Sequence, residues 1–269
     1  MSCTVGYPDT RTNKPLFTEV CPDLFAQNNG PRYRVPIDLQ LRPARPVNFL
    51  VVGGCLAEPI PGVASIINRE FRGDFVLLNN FDTFPEFSQE RVAQYDFQII
   101  HIPLRSVFGN AYFQLPDDIR SHEEFLAQTQ DYLGRYLANA MKLNADHRLL
   151  TFVLGFMVPQ QNPLGRLQPR YDIRNIMTFI ERLNMFLASE VAKSQNAYYV
   201  DVDQIAGGIG KKAVQDDAVW SFRHGTSLSD GDHEYDLNRL EPPLPMQCHY
   251  SARWFECFQA MLHEIFAML

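Results

Sequence analysis

The sequence predicts a three-layer α/β/α sandwich built on a five-stranded parallel sheet. Short apolar runs rich in β-branched residues alternate along the chain with longer segments of helical apolar period. That alternation calls for right-handed crossovers, which place helices on both faces of one parallel sheet. A chain of 269 residues, 46% of them hydrophobic and 20% charged, can bury roughly three-quarters of its unfolded surface and needs no staples. Residues 47–269 are expected to form this one domain, with residues 1–46 an irregular amino-terminal arm.

The arm is rich in Pro, Asn, Arg and Thr, and Arg42-Pro-Ala-Arg-Pro46 ends it, since repeated prolines continue neither a helix nor a central strand. Val47-Asn-Phe-Leu-Val-Val52 then reads as a buried strand stopped by Gly53-Gly54. Residues 59–70 carry Ile60, Val63, Ile66 and Ile67 at helical spacing, with Pro59 and Pro61 tolerated in a first turn. Asp74-Phe-Val-Leu-Leu78 and Phe97-Gln-Ile-Ile-His-Ile102 are the second and third strands. A long helix follows, its inward stripe Phe125, Thr129, Tyr132, Leu133, Tyr136, Leu137 and Ala140, with Ser121 and Glu124 spaced as a capping box. Residues 149–157 form the fourth strand. The next helix faces inward with Ile173, Ile176, Met177, Ile180, Leu183, Leu187 and Val191, capped by Asp172. Tyr198-Tyr-Val-Asp-Val202 is the fifth strand, and residues 251–269 close the chain with a helix aligning Trp254, Phe255, Phe258, Met261, Leu262, Ile265 and Phe266.

A net charge of −7 and a pI near 5.5 argue against a phosphate-gripping surface and so against nucleic acid as a partner. No run approaches the ~18 apolar residues of a membrane helix, and Met1 to Thr10 lacks the pattern of a signal peptide. Membrane association is therefore not expected. The five cysteines (Cys3, Cys21, Cys55, Cys248, Cys257) are odd in number and scattered, which fits a reduced, cytoplasmic protein rather than a disulfide or zinc framework. Oligomeric state is not legible.

Ligands of such sheets bind beyond the carboxyl ends of the strands, so chemistry is sought in those loops. After the first strand comes Gly53-Gly54-Cys55-Leu56-Ala57-Glu58-Pro59. The glycines permit a tight turn and close ligand approach. Cys55 is expected at or just before a helix amino terminus, where free amides favour a thiolate or bind an oxyanion. The loop after the third strand, Leu104-Arg105-Ser106-Val107-Phe108-Gly109-Asn110, offers the Asn110 amide and Arg105 toward developing negative charge, with Gly109 supplying the turn. Asp230 stands three residues before His233, a spacing that lets a carboxylate fix an imidazole tautomer. His249 has Met246 at the equivalent place but lies directly before the last helix, whose docking brings it toward the strand ends, and it is the favoured base.

Gly207-Gly-Ile-Gly210 lacks the order of a dinucleotide fingerprint. Asp201, Asp203, Asp216 and Asp217 read as solvated acids, and no metal is assigned. Trp220, Phe222 and Tyr235 read as caps of the core.

Gly53-Gly54-Cys55, Gly109-Asn110 and Asp230-Gly231-Asp232-His233, in this order over residues 47–269, resemble the SGNH or GDSL-like hydrolase superfamily, with Cys55 where that family carries Ser. The resemblance implies a flavodoxin-like α/β/α sandwich, Cys55 as nucleophile, Gly54 and Asn110 as oxyanion donors, and Asp230 with His233 as the orienting acid and base. Gly54-Cys55-Leu56-Ala57-Glu58-Pro59 also resembles a Cys-containing segment of the acetyltransferases of capsular polysaccharide biosynthesis, which implies coenzyme A or an acyl-CoA as co-substrate. Both imply acyl chemistry on a small-molecule or glycan substrate with no obligatory cofactor. The alternative from the residues is a non-catalytic ligand-binding or accessory protein on the same scaffold.

Overall fold

A computed structural model of the protein describes residues 45–54, 57–78, 84–108, 111–160, 162, 167–211, 259–266 and 269. The expected arm therefore lies almost wholly outside the described residues. In chain order the elements are β1 (Val47–Gly53), α1 (Ile60–Ile67), β2 (Phe71–Leu77), α2 (Gln89–Val92), β3 (Phe97–His101), α3 (Leu104–Phe108), a 3-10 turn (Ala111–Gln114), α4 (Ile119–Ala140), α5 (Lys142–His147), β4 (Leu150–Leu154), α6 (Ile176–Val191), β5 (Ala197–Val200) and α7 (Val202–Ile209). A final helix, α8, covers 259–266 within the expected 251–269.

The five strands form one parallel sheet in the order β2-β1-β3-β4-β5. The strands alternate their side chains between two apolar layers, as a pleat requires. Leu50, Val52, Ile100 and Val153 point into the layer roofed by α4 and α6, through Leu133, Tyr136, Ile180, Leu183 and Leu187. Val47, Phe49, Val51, Phe97, Ile99, Phe152 and Leu154 point into the opposite layer, roofed by α1, α7 and α8. The three-layer α/β/α sandwich is thus the fold of this chain.

Local chemistry departs from expectation at the helix starts. Helix α4 begins two residues before Ser121: Asp118 is its cap, accepting hydrogen bonds from the Ser121 amide and hydroxyl at 2.8 Å each. Ser121 therefore sits inside the first turn, and the expected Ser121–Glu124 box does not form. Glu124 instead pairs with Arg120. Helix α6 is capped by Asn175, whose Oδ1 accepts from the Met177 amide at 3.0 Å. Asp172 is taken up by Arg174, accepting from its amide and guanidinium, which lowers its carboxyl to about 2. Ile173 is buried ahead of the helix rather than on it. Strand β2 starts at Phe71, three residues earlier than expected. Its Gly73 lets β2 lie against the Phe49 ring and Pro61, which a Cβ there would meet at 2.6 and 2.9 Å.

Phe266 of α8 locks the second layer. Its ring stacks on Phe71 at 3.9 Å between centroids and meets Phe49 and Phe97 edge-on at 6.3 and 6.1 Å. These three partners lie in the amino-terminal halves of β2, β1 and β3, so the last turn of α8 rests over that edge. Burial raises the carboxyl pKa of Glu264, two residues back, and the charge of Asp201 at the end of β5 adds to the effect. Phe266→Ala should cost about 3–5 kcal/mol in chemical denaturation, by removing a fully buried ring whose neighbours belong to three strands.

Candidate functional site

The strand order places a topological switch point between β1 and β3. From β1 the chain crosses to β2 through α1 on one face, and from β3 it crosses to β4 through α4 on the other. Consecutive helices leaving to opposite faces open a crevice at the carboxyl ends of these two strands. Gly53 is in register with His101 there, and His101 with Leu154 of β4.

Glycine is required at this junction by contact. A Cβ on Gly53 would stand 2.6 Å from the His101 carbonyl oxygen and 3.0 Å from its Cβ, and one on Gly54 would meet Cγ of Pro103 at 2.4 Å. The chain then doubles back, with the Ala57 amide donating to the Gly54 carbonyl at 2.9 Å. Neighbouring loops are braced from beneath. Asn184 of α6 grips both polar groups of Phe156, accepting from its amide at 2.8 Å and donating to its carbonyl at 2.7 Å. Asp203 of α7 accepts from the Val158 amide at 2.6 Å and from Lys211 at 2.5 Å. Asp201 caps α7 through the Gln204 amide. Asp203, expected to be solvated, is a structural anchor, whereas Asp201 is exposed as expected, and Gly207, Gly208 and Gly210 belong to α7 and its end. Among the described residues no three His, Cys, Asp or Glu side chains cluster as metal ligands.

Gly54 lies at the switch point, as expected, and Arg105 lies on α3 immediately beyond β3. Cys55, Gly109, Asn110, Asp230, His233 and His249 lie outside the described residues, as do Asp216, Asp217, Trp220, Phe222 and Tyr235. One expectation about Cys55 is corrected by its neighbours. Helix α1 starts at Ile60, five residues after it, with Pro59 as cap and Pro61 in the first turn. Two of the amides that would face an anion at this helix end do not exist.

The sequence reading missed His101. It ends β3 beside Gly53, and its Nδ1 is buried without a hydrogen-bond partner. Burial lowers its pKa from 6.5 to about 4, the nearby His101 carbonyl offsetting this slightly. A polar residue closing an apolar strand at the switch point was the signal available.

No family model matches the chain, and no curated protein matches it. Among solved structures, it resembles the N-terminal part of the protein BF1531 from Bacteroides fragilis, which contains a phosphatase domain complexed with Mg. The TM-score is 0.43 at 11% identity, over 66% of this chain and 47% of that one. The chain thus spans about half the length of that neighbour. At this score and identity the likeness bears on neither activity nor metal use.

Gly53→Ala should destabilise the fold by about 1–3 kcal/mol in denaturant titration, because the carbonyl it strikes belongs to the sheet. The His101 pKa also sets a pH dependence. Its folded value of about 4 lies below the ordinary 6.5, so between these values the unfolded chain holds the proton and the folded chain does not. Its contribution is complete above about pH 6.5 and is lost as pH falls toward 4, by roughly 3 kcal/mol. Denaturation series from pH 7 to 4 should show this slope, and His101→Gln should flatten it.

Proposed function

We propose that the protein transfers or hydrolyses an acyl group, an acetyl group foremost, on a carbohydrate or similarly hydroxylated substrate through Cys55 and a histidine base. The observation supporting this reading is the place of the Gly53-Gly54 turn. It ends β1 at the switch point, where open α/β sheets hold their ligands, and Cys55 follows directly in sequence. The Cys55 sulfur attacks the acyl carbonyl carbon while His249, or His233 oriented by Asp230, takes the thiol proton. The carbonyl electrons move onto oxygen, where the Gly54 and Cys55 amides and the Asn110 side chain donate hydrogen bonds. Collapse expels the alcohol or thiol leaving group, which recovers that proton, and water or a sugar hydroxyl then resolves the thioester. Coenzyme A enters only as the leaving group of an acyl-CoA donor. Polysaccharide biosynthesis in the cytoplasm is the setting that fits a reduced nucleophilic cysteine.

A second reading, a ligand-binding or accessory protein on the same scaffold, is favoured by the start of α1. With Pro59 and Pro61 in place and four residues between Cys55 and Ile60, the amides that would lower the Cys55 pKa are depleted.

Alkylation with iodoacetamide, mapped to Cys55 by peptide mass, separates the two when combined with a screen of acetyl esters with and without coenzyme A. The catalytic reading expects Cys55 to react faster than free cysteine near neutral pH, with activity lost in step. Cys55→Ala should lower turnover by roughly a thousandfold or more. His249→Ala should abolish activity and His233→Ala reduce it partly. A sluggish thiol with no turnover of any ester gives the binding reading.

A further inference from the structure

We propose that the protein forms a symmetric dimer in which two copies pair antiparallel along β2, joining their five-stranded sheets into one. Strands β2 and β5 are the two edges of the sheet. Strand β5 has only four residues, and shortness protects an edge against pairing. Strand β2 has seven, pairs with β1 without a bulge, and carries neither Pro nor Lys. Which backbone groups it leaves free follows from its bonds to β1. The Leu78 amide donates to the Gly53 carbonyl at 2.8 Å, and the Glu70 carbonyl accepts from the Val47 amide at 2.9 Å. The even-numbered residues of β2 therefore turn their amides and carbonyls toward β1, and those of Gly73, Phe75 and Leu77 face outward. Among the described residues, these three have no hydrogen-bond partner on that side.

The charges on β2 select a second copy as the partner and fix its register. An antiparallel pair of identical strands is symmetric about one residue, with outward-facing residues opposite one another. Centred on Gly73, Arg72 of each copy stands opposite Asp74 of the other. These are non-hydrogen-bonded pairs, where side chains approach most closely. Both side chains are exposed, and the pleat puts them on one face of the sheet. Asp74 is held in place by the Tyr95 hydroxyl, which donates to its Oδ2 at 2.5 Å. The neighbouring symmetric registers, centred on residue 72 or 74, set Arg72 against Arg72 or Asp74 against Asp74. Like charges directly opposite are destabilising, so the edge complements itself in one register. There Gly73 exchanges two main-chain hydrogen bonds with Gly73 of the second copy, and each Phe75 amide reaches the other Phe71 carbonyl. The Phe71 amide is already spent on the Asn68 carbonyl at 3.0 Å, which ends the ladder. On the opposite face Phe75 is half-buried and Leu77 is 52% exposed, apolar surface that a second strand covers in part.

Sedimentation velocity of the full chain over about 1–100 µM reads the association, a range suited to a small interface built on one strand pair. The protein should pass from monomer to dimer as its concentration rises. Arg72→Asp and Asp74→Arg should each weaken association by roughly tenfold or more, because two symmetry-related pairs turn repulsive. Combining them exchanges the charges, restores both pairs and should recover the dimer. Tyr95→Phe, which removes only the hydroxyl that holds Asp74, should leave the dimer in place. A second measurement is independent of charge. An oxidised mixture of Arg72→Cys and Asp74→Cys proteins should form a disulfide between positions 72 and 74, mapped by peptide mass, and neither protein alone should form it. A chain that stays monomeric throughout overturns the proposal, whether the edge is bare or covered by residues 1–44. So does a dimer indifferent to both charge reversals, or a mixed sample without the 72–74 disulfide.

Discussion

The carboxyl edge of this molecule depends on one contact, the approach of Gly53 to the backbone of His101. Neighbouring parallel strands lie about 4.8 Å apart, a spacing that ordinarily admits side chains on both strands. At this pair the crossover helices depart to opposite faces, and the strands end so closely that a single Cβ would press into a carbonyl oxygen. Glycine there lets β1 stay in register with β3 to its last residue before the chain turns into α1. One missing methyl group thus keeps the sheet in register at its carboxyl edge.

Much of the fold was legible because burial on both faces leaves a strong mark. Strands β1 and β3 read as continuous apolar runs, and the stripes of α4 and α6 repeat at helical spacing over four turns or more. Boundaries were less legible where short-range polar chemistry competes. Asp118 and Ser121 both suit a cap, and Asn175 and Asp172 likewise. Which of each pair acts depends on tertiary partners: Arg174 captures Asp172 and leaves Asn175 to the helix. Strand β2 was read as starting at Asp74 because Arg72-Gly73 breaks the apolar character after Phe71. The glycine is there to admit Phe49 and Pro61, a contact that sequence periodicity does not encode.

The candidate site was legible in position rather than in composition. Strand ends and glycines pointed to the turn after β1, and the switch point is there. His101 went unnoticed because it terminates a run whose other members are core residues, and its meaning comes only from its register with Gly53. Asp203 was misread for a related reason. Its partners, the Val158 amide and Lys211, are brought together by the packing of α7 beneath the β4 loop. Sequence separation of 45 residues hides the first of these contacts.

Several charges at the carboxyl edge are satisfied internally. Asp203 is neutralised by Lys211, Asp172 by Arg174, and Asp201 is turned toward the first turn of α7. Helix α1 begins with two prolines, and the imidazole between β1 and β3 is held neutral by burial. Helix α1 turns fewer than the usual number of free amides toward the carboxyl edge, because Pro59 and Pro61 carry none. The hydroxylated substrate proposed above would be recognised through oriented hydrogen bonds, where a neutral donor loses less on desolvation than a charged one. A chain carrying −7 overall reinforces the preference for an uncharged ligand, since its own field repels acidic ligands at long range.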